Sequence, residues 1–367
     1  MTAEHVFRKQ WNGVAGDLLP AYFAMVMATG IVSIASTLYG LILFAHVLFY
    51  IDLSAYIILW IFSAERILFF RNRYAEDLRD HARGPGFFTV VAGTNTLGSV
   101  FVVVMKDDTI AFFLWIIGFL LWLFYQYYIF TALSISKTKP LVEKGINGTW
   151  LVATVSTQSV SVLAAQLSQL HHWMFLISII MYFIGWMTYV LVMSLINYRL
   201  LFLKLDTDDI MGPYWINMGA TAITTLAGAL ILIDGSTPAF SSMLGLFRPF
   251  IAGATFLMWA YGSWWIPWLV IIGIWKYSVG GGKIVSYDPL FWGGVFPMGM
   301  YTVSTYMLVK AASLNELSFI PRYFLYVAII AWIYEFLGLL IRIAERLSGK
   351  WNFKQKTKEG TANTDVK

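Results

Sequence analysis

The stretch WGGVFPMGMYTVSTY, residues 292–306, carries no charge and is long enough to cross most of a bilayer core. A membrane-spanning helix needs about 20 apolar residues, and the apolar segment around this stretch runs over 290–309. Pro297 falls near its middle. Proline inside a helix removes one hydrogen bond and clashes with the preceding turn. In lipid the freed carbonyl needs another partner, so such breaks survive where protein or a wet cavity covers them. Gly293, Gly294 and Gly299 leave room for close approach. The stretch reads as a helix lining a path through a membrane, with Phe296 in that path. The plainer reading is a kinked packing helix.

Composition points the same way. The chain is 59% hydrophobic and only 12% charged, with mean hydropathy +0.70. A soluble domain of this size would carry about twice that charge. It has no cysteine, which excludes disulfides, thiolate metal sites and a thiol nucleophile. The expected fold class is an all-α integral membrane protein. Ten spans are expected, near 18–38, 44–65, 87–105, 110–133, 149–167, 173–196, 214–233, 250–275, 290–309 and 323–344. Residues 1–16 read as a cytosolic N-terminal tail rather than a signal peptide, 17–346 as the transmembrane domain, and 347–367 as a polar, disordered cytosolic tail.

Lys and Arg set the orientation. With the N-terminus inside, all but four of the 25 basic residues fall on the inner side; Lys106, Arg248, Lys310 and Arg322 are outside. This bias supports an even number of spans, cytosolic termini and a plasma (inner) membrane location. The net charge of +5 does not suggest nucleic acid, because the basic residues sit at membrane flanks.

Loop lengths alternate, so the chain reads as five helical hairpins. Odd helices begin at turn signals: Gly84-Pro85, Asn147-Gly148, Gly212-Pro213 and Asp288-Pro289. Each has a small or polar cluster near its middle, and the clusters recur at about 63 residues, then about 77 for the last. Such a period, one supersecondary unit per repeat, fits a pseudo-symmetric bundle.

The odd helices also carry polar stripes at helical spacing. Thr29, Ser33 and Ser36 form one. Asn95, Gly98 and Ser99 form a shorter one. Thr154, Thr157, Gln158 and Ser161 form a third, and Asn217, Thr221 and Thr224 a fourth. Ser and Thr also bond their own backbone, and small residues help membrane helices pack. The restriction of the stripes to one member of each hairpin favours five inner helices around a polar pore, with five outer helices facing lipid or neighbouring subunits. A neutral, hydroxyl-lined path suits an ion that must leave as readily as it enters. Two acids, Asp52 and Glu335, lie inside outer helices, where a charge is costly and often functional. Glu335 is a candidate proton site, or a neutral group bonded between helices. No hydrolase, metalloprotease or nucleotide-binding motif is present, so neither catalysis, a metal nor a cofactor is expected.

With these residues in view, the chain resembles the tellurite-resistance/dicarboxylate transporter family. This family includes TehA-type bacterial proteins, plant guard-cell slow anion channels, yeast malate permeases and fungal sulfite exporters. The resemblance spans roughly residues 15–345. It is carried by PAYFAMVMATGIVSIAS (20–36), NGTWLVATVSTQSVSVLA (147–164) and FWGGVFPMGMYTVSTYML (291–308). It implies a homotrimer of independently conducting subunits, a small inorganic or dicarboxylate anion as cargo, and an aromatic plug matching Phe296. Prolines kinking the inner helices are a family feature, present mid-span here only as Pro297. The expected function is anion permeation through a largely uncharged pore. The alternative is proton-coupled transport of four-carbon dicarboxylates such as malate, or export of sulfite or tellurite. One conflict stands. On an ideal helix Gly294, Met298, Thr302 and Thr305 share the polar face, which turns Phe296 away from the pore. The resemblance turns Phe296, Pro297 and Gly299 inward.

Overall fold

The computed structural model describes residues 15–206, 212–280 and 287–347. Apart from Ala15, Gly16 and Leu347, the two expected tails lie outside the described residues. Among the described residues there is no strand. The long helices, in chain order, are α1 (Ala24–Leu38), α2 (Ile42–Phe69), α3 (Phe88–Val100), α4 (Asp108–Ile135), α5 (Val152–Gln166), α6 (Trp173–Phe202), α7 (Ile216–Asp234), α8 (Arg248–Gly280), α9 (Trp292–Ala312) and α10 (Phe319–Leu347). Eight segments are long and apolar enough to cross a membrane; α5 and α9 are not among them. Those two are rich in Ser, Thr and Gly, which lowers their hydropathy, and they are shielded by other helices. Every residue of α5 from Val152 to Ala165 is buried. The chain is a multi-pass helical membrane protein.

Each odd helix starts with one tight 3-10 turn: Pro20–Phe23, Gly84–Phe87, Gly148–Leu151, Gly212–Trp215 and Pro289–Phe291. The first four starts are equally spaced along the chain and the fifth comes later, matching the expected repeat. Pro20, Pro85, Pro213 and Pro289 stand at the head of four turns, where a missing N–H costs nothing and a fixed φ helps. The third turn has no proline. There the Asn147 side chain accepts from the Thr149 N–H at 2.8 Å, as Asp288 accepts from the Leu290 N–H at 3.0 Å in the fifth. Both side chains satisfy a donor that the turn leaves unpaired.

The odd helices close into a ring, with α1 packed on α3, α3 on α5, α5 on α7, α7 on α9 and α9 on α1. The five 3-10 turns touch in the same cyclic order and close a second ring at one end of the bundle. Glycine permits the tightest of these approaches: a Cβ on Gly148 would strike the Pro213 carbonyl of the next turn. Each even helix packs outside its own partner, α2 on α1, α4 on α3, α6 on α5, α8 on α7 and α10 on α9. Burial separates the two rings. The most apolar windows of the α1, α3 and α7 segments are 72, 89 and 94% buried, whereas no even helix exceeds 50%.

The basic residues at the ends of two outer helices anchor the turn ring. Arg66 of α2 donates to the Leu18 carbonyl at 2.6 Å and pairs with Asp77. Arg199 of α6 donates to the Ile146 carbonyl at 2.7 Å and the Tyr214 hydroxyl at 2.8 Å. Each carbonyl lies two residues ahead of a 3-10 turn, so the same device recurs in hairpins one and three. Arginine suits it, because one planar fork serves several acceptors.

Candidate functional site

Two small cavities lie on the ring axis, and each is lined from all five inner helices or their turns. The near chamber, beside the ring of turns, is bounded by Ala21, Ala24 and Met27 of the first hairpin and Thr89 of the second. Thr149 and Val152 come from the third, Pro213 and Ile216 from the fourth, and Leu290, Gly293 and Phe296 from the fifth. The far chamber is bounded by Ile31 and Ile34, then Asn95, Thr96 and Ser99, then Ser159, Val162 and Gln166. Ile223, Leu226, Met300 and Val303 complete it. Each offers about 20 Å³, enough for a water molecule but not for a hydrated ion. Among the described residues, no charged side chain lines either one.

One helical turn separates the chambers, between Met27 and Ile31 on α1 and between Phe296 and Met300 on α9. Phe296 is 1% exposed. Its ring edge lies against Gly219 of α7, where a Cβ would approach Cδ1 and Cε1 to 3.1 Å and Pro297 Cγ to 3.0 Å. Phe296 thus faces the axis, Pro297 packs against α7, and Gly299 packs against Ile31 and Val32 of α1. Thr305 accepts from Trp259 Nε1 of α8 at 3.0 Å. Thr302 donates to its own helix at Met298 O, 3.0 Å. The polar face of α9 therefore points away from the axis.

The stripes of α1, α5 and α7 behave alike, whereas that of α3 lines the far chamber through Asn95 and Ser99, beside the hydroxyls of Thr96 and Ser159. Thr29 accepts from Trp332 of α10 at 2.9 Å. Ser33 donates to Ala45 O of α2 at 2.7 Å. Thr157 accepts from Trp122 of α4 at 2.9 Å. Gln158 donates to Tyr182 O at 3.0 Å and Ser161 to Ser178 O at 2.7 Å, both on α6. Asn217 accepts from Tyr189 of α6 at 2.8 Å. Thr221 sits against Gly262 of α8. Thr224 bonds Ala220 O at 2.7 Å, and Thr154 is buried with its hydroxyl unpaired. None of these lines either chamber. Of the expected pore residues, Asn95, Ser99 and Phe296 do.

The physical reason is that lipid gives helices no hydrophobic drive to associate, so polar groups and close packing hold them together. The stripes knit each inner helix to the outer ring. Sequence reasoning missed the complementary signal, a glycine opposite each polar knob. Asn95 seats on Gly118 of α4, Gln158 on Gly185 of α6, and Thr221 on Gly262 of α8. Within the inner ring the knobs are apolar instead, as with Leu163 on Gly98 and Phe296 on Gly219.

Glu335 lies on α10, 2% exposed, with Oε1 unpaired, and lines neither chamber. One turn on, a Cβ on Gly338 would lie 3.2 Å from the Tyr287 ring. Tyr287 precedes α9 and accepts from Trp292 Nε1 at 3.3 Å. Burial, more than the neighbouring Glu335 and Asp288 charges, pushes the Tyr287 hydroxyl well above its ordinary range, against a lowering by the Trp292 bond. It stays neutral at physiological pH.

The pattern of the voltage-dependent anion channel family matches residues 17–340. The chain belongs to that family. Two uncharacterized transporters of Methanocaldococcus jannaschii are similar over most of their length. One is 25% identical over 327 residues, covering 83% of this chain and 87% of the relative. The other is 26% identical over 313 residues, covering 79% and 84%. An uncharacterized membrane protein of Mycobacterium tuberculosis is 41% identical over 156 residues, covering 42% of this chain and 77% of the relative. Family membership and transporter-named relatives make anion transport the general function of this member of the anion channel family.

Proposed function

We propose that the protein conducts small anions passively along the ring axis, with Phe296 as the gate. The observation that carries this is the Phe296 ring at the closed turn between two axial chambers, each lined from all five inner helices. Among the described residues no acidic side chain lines either chamber, so these residues offer no ring of carboxylates that favours cations. Basic residues at the inner flank concentrate anions at the mouth. On this reading the chain catalyses no reaction, sits in the plasma membrane with both termini cytosolic, and assembles as a homotrimer. The test is chloride or nitrate flux into liposomes with wild type and Phe296→Ala. The variant should pass anions about tenfold faster or more, the effect of removing roughly 1.4 kcal/mol of barrier. Unchanged flux would remove Phe296 from the gate.

The buried carboxyl of Glu335, whose Oε1 has no hydrogen-bond partner among the described residues, favours a second reading, proton-coupled uptake of a four-carbon dicarboxylate. It requires saturable malate uptake driven by a pH gradient and abolished in Glu335→Gln. Export of sulfite or tellurite would appear as efflux of those anions under the same conditions.

A further inference from the structure

The first hairpin departs from the neutral knob-on-glycine pattern. Asp52 of α2 is fully buried, and among the described residues neither carboxyl oxygen has a hydrogen-bond partner. Its Oδ2 reaches across to Gly30 of α1, where a Cβ would come within 2.9 Å of it. The same Cβ would lie 3.0 Å from Thr96 Cγ2 and 3.1 Å from Val100 Cγ2 of α3. Gly30 is therefore a gap in the inner ring, with the carboxyl on one side and Thr96, part of the far-chamber wall, on the other. In hairpins two, three and four the knobs are neutral: Asn95, Gln158 and Thr221 from the inner helices, and Thr255 of α8 on Gly228 of α7. In hairpin one the knob is an acid from the outer helix.

Nothing on the packed elements compensates a charge there. The segments Ala24–Leu38, Phe88–Val100 and Phe101–Met105 contain no titratable residue. On α2 itself the nearest titratable side chains are Tyr50, which is 60% exposed, Tyr56, whose hydroxyl is engaged with Thr94 at 3.1 Å, and His46, whose ring bonds Ile42 O at 2.8 Å. Arg66 lies far along α2 and is committed to Asp77 and Leu18. The first turn offers Tyr22, at the opposite end of α1. The short helix Arg71–Leu78 lies at the same end as Arg66, and its Asp77 is held by Arg66 and Arg83. An unpaired carboxylate in such surroundings is costly, and intramembrane acids without partners mark proton and ion pathways.

We propose that Asp52 is a proton-binding site that controls the far chamber. At rest it is the neutral acid. Releasing its proton to the aqueous phase leaves a carboxylate behind the Thr96 wall, and the negative potential in the chamber then suppresses anion passage. The control of flux rests on the permeation reading above; the proton site does not.

The full-length protein in liposomes serves for two measurements. Infrared spectroscopy follows the carbonyl band of a protonated carboxyl while pH is raised; Asp52→Asn, close to the neutral acid in shape, should lack one titrating band that wild type shows. Chloride flux is then measured over the same range. Wild type should lose flux about fivefold or more as pH rises through that titration, Asp52→Asn should stay at the high level, and Ser54→Ala, a change on the exposed face of α2, should follow wild type. Matching thermal unfolding of the three proteins shows that the variants are folded. No difference in the carbonyl band, or a wild-type flux profile in Asp52→Asn, overturns the proposal. A titrating band with no anion flux in any of the proteins keeps the proton site and sinks only the permeation reading.

Discussion

A threonine shows what an individual side chain does in this bundle. Thr157 is wholly buried, accepts from Trp122 Nε1 of α4 at 2.9 Å and donates to Ala153 O at 2.8 Å. Its hydroxyl fastens an inner helix to an outer one and never meets the axis. Thr157→Val keeps the shape, loses both bonds and leaves the indole N–H unpaired. The expected cost is about 1–3 kcal/mol, read as a lower melting temperature in detergent, with anion flux per folded protein unchanged. A change in flux selectivity at constant stability would instead place Thr157 in the path. Phe296 is the converse case: it stabilises the α7–α9 contact through Gly219 and also closes the axis, so its removal should register in both readouts.

At the scale of the helices, much was legible in advance. Turn signals such as Gly212-Pro213 and Asp288-Pro289 mark where 3-10 turns begin, because proline and an Asx side chain fix that geometry locally. The hairpin repeat was legible for the same reason. What the stripes touch was not. Helical spacing says that Thr154, Thr157, Gln158 and Ser161 share a face, but it carries no information on which neighbour that face meets. The neighbour's glycine, such as Gly185 beneath Gln158, lies in a different segment, and only the packed bundle brings the two together. The Phe296 conflict resolves on the same ground: the polar face of α9 meets α8 through Thr305, which leaves Phe296 for the axis.

The basic residues ending outer helices were legible as a topology signal only. In the bundle, Arg199 also holds the Ile146 carbonyl and the Tyr214 hydroxyl, linking the third and fourth hairpins at their turns. Charge-assisted bonds of this kind contribute about 1.5–3 kcal/mol each. Arg199→Ala should therefore lower stability by about 3 kcal/mol or more and loosen the near chamber. Hydrogen exchange at the amides of 146–151 and 212–216 measures this directly, and unchanged protection there would show that the turns hold without the arginine.

Across the whole molecule, the contacts that matter run between helices. Each hairpin goes out and back with its own partner, and the ring is closed by side-by-side packing. Membrane helices can insert separately and then assemble. A chain divided between Asp206 and Gly212 and produced as two pieces should therefore reassemble, each piece carrying complete hairpins. Co-purification of the halves and recovery of flux would establish this; halves that never associate would mean that the connection at 207–211 is required.

The ring of five 3-10 turns also bears on time. Every turn abuts two others, and Arg66 and Arg199 tie turns to outer helices, so one turn cannot swing aside without disturbing its neighbours. Opening that required this frame to move would be a collective event on the microsecond-to-millisecond scale, whereas a side chain changing rotamer is far faster. A fixed frame with one mobile ring should give brief, flickering openings whose lifetime follows the packing of Phe296 against Gly219. Long, stable openings would point to the frame itself as the moving part.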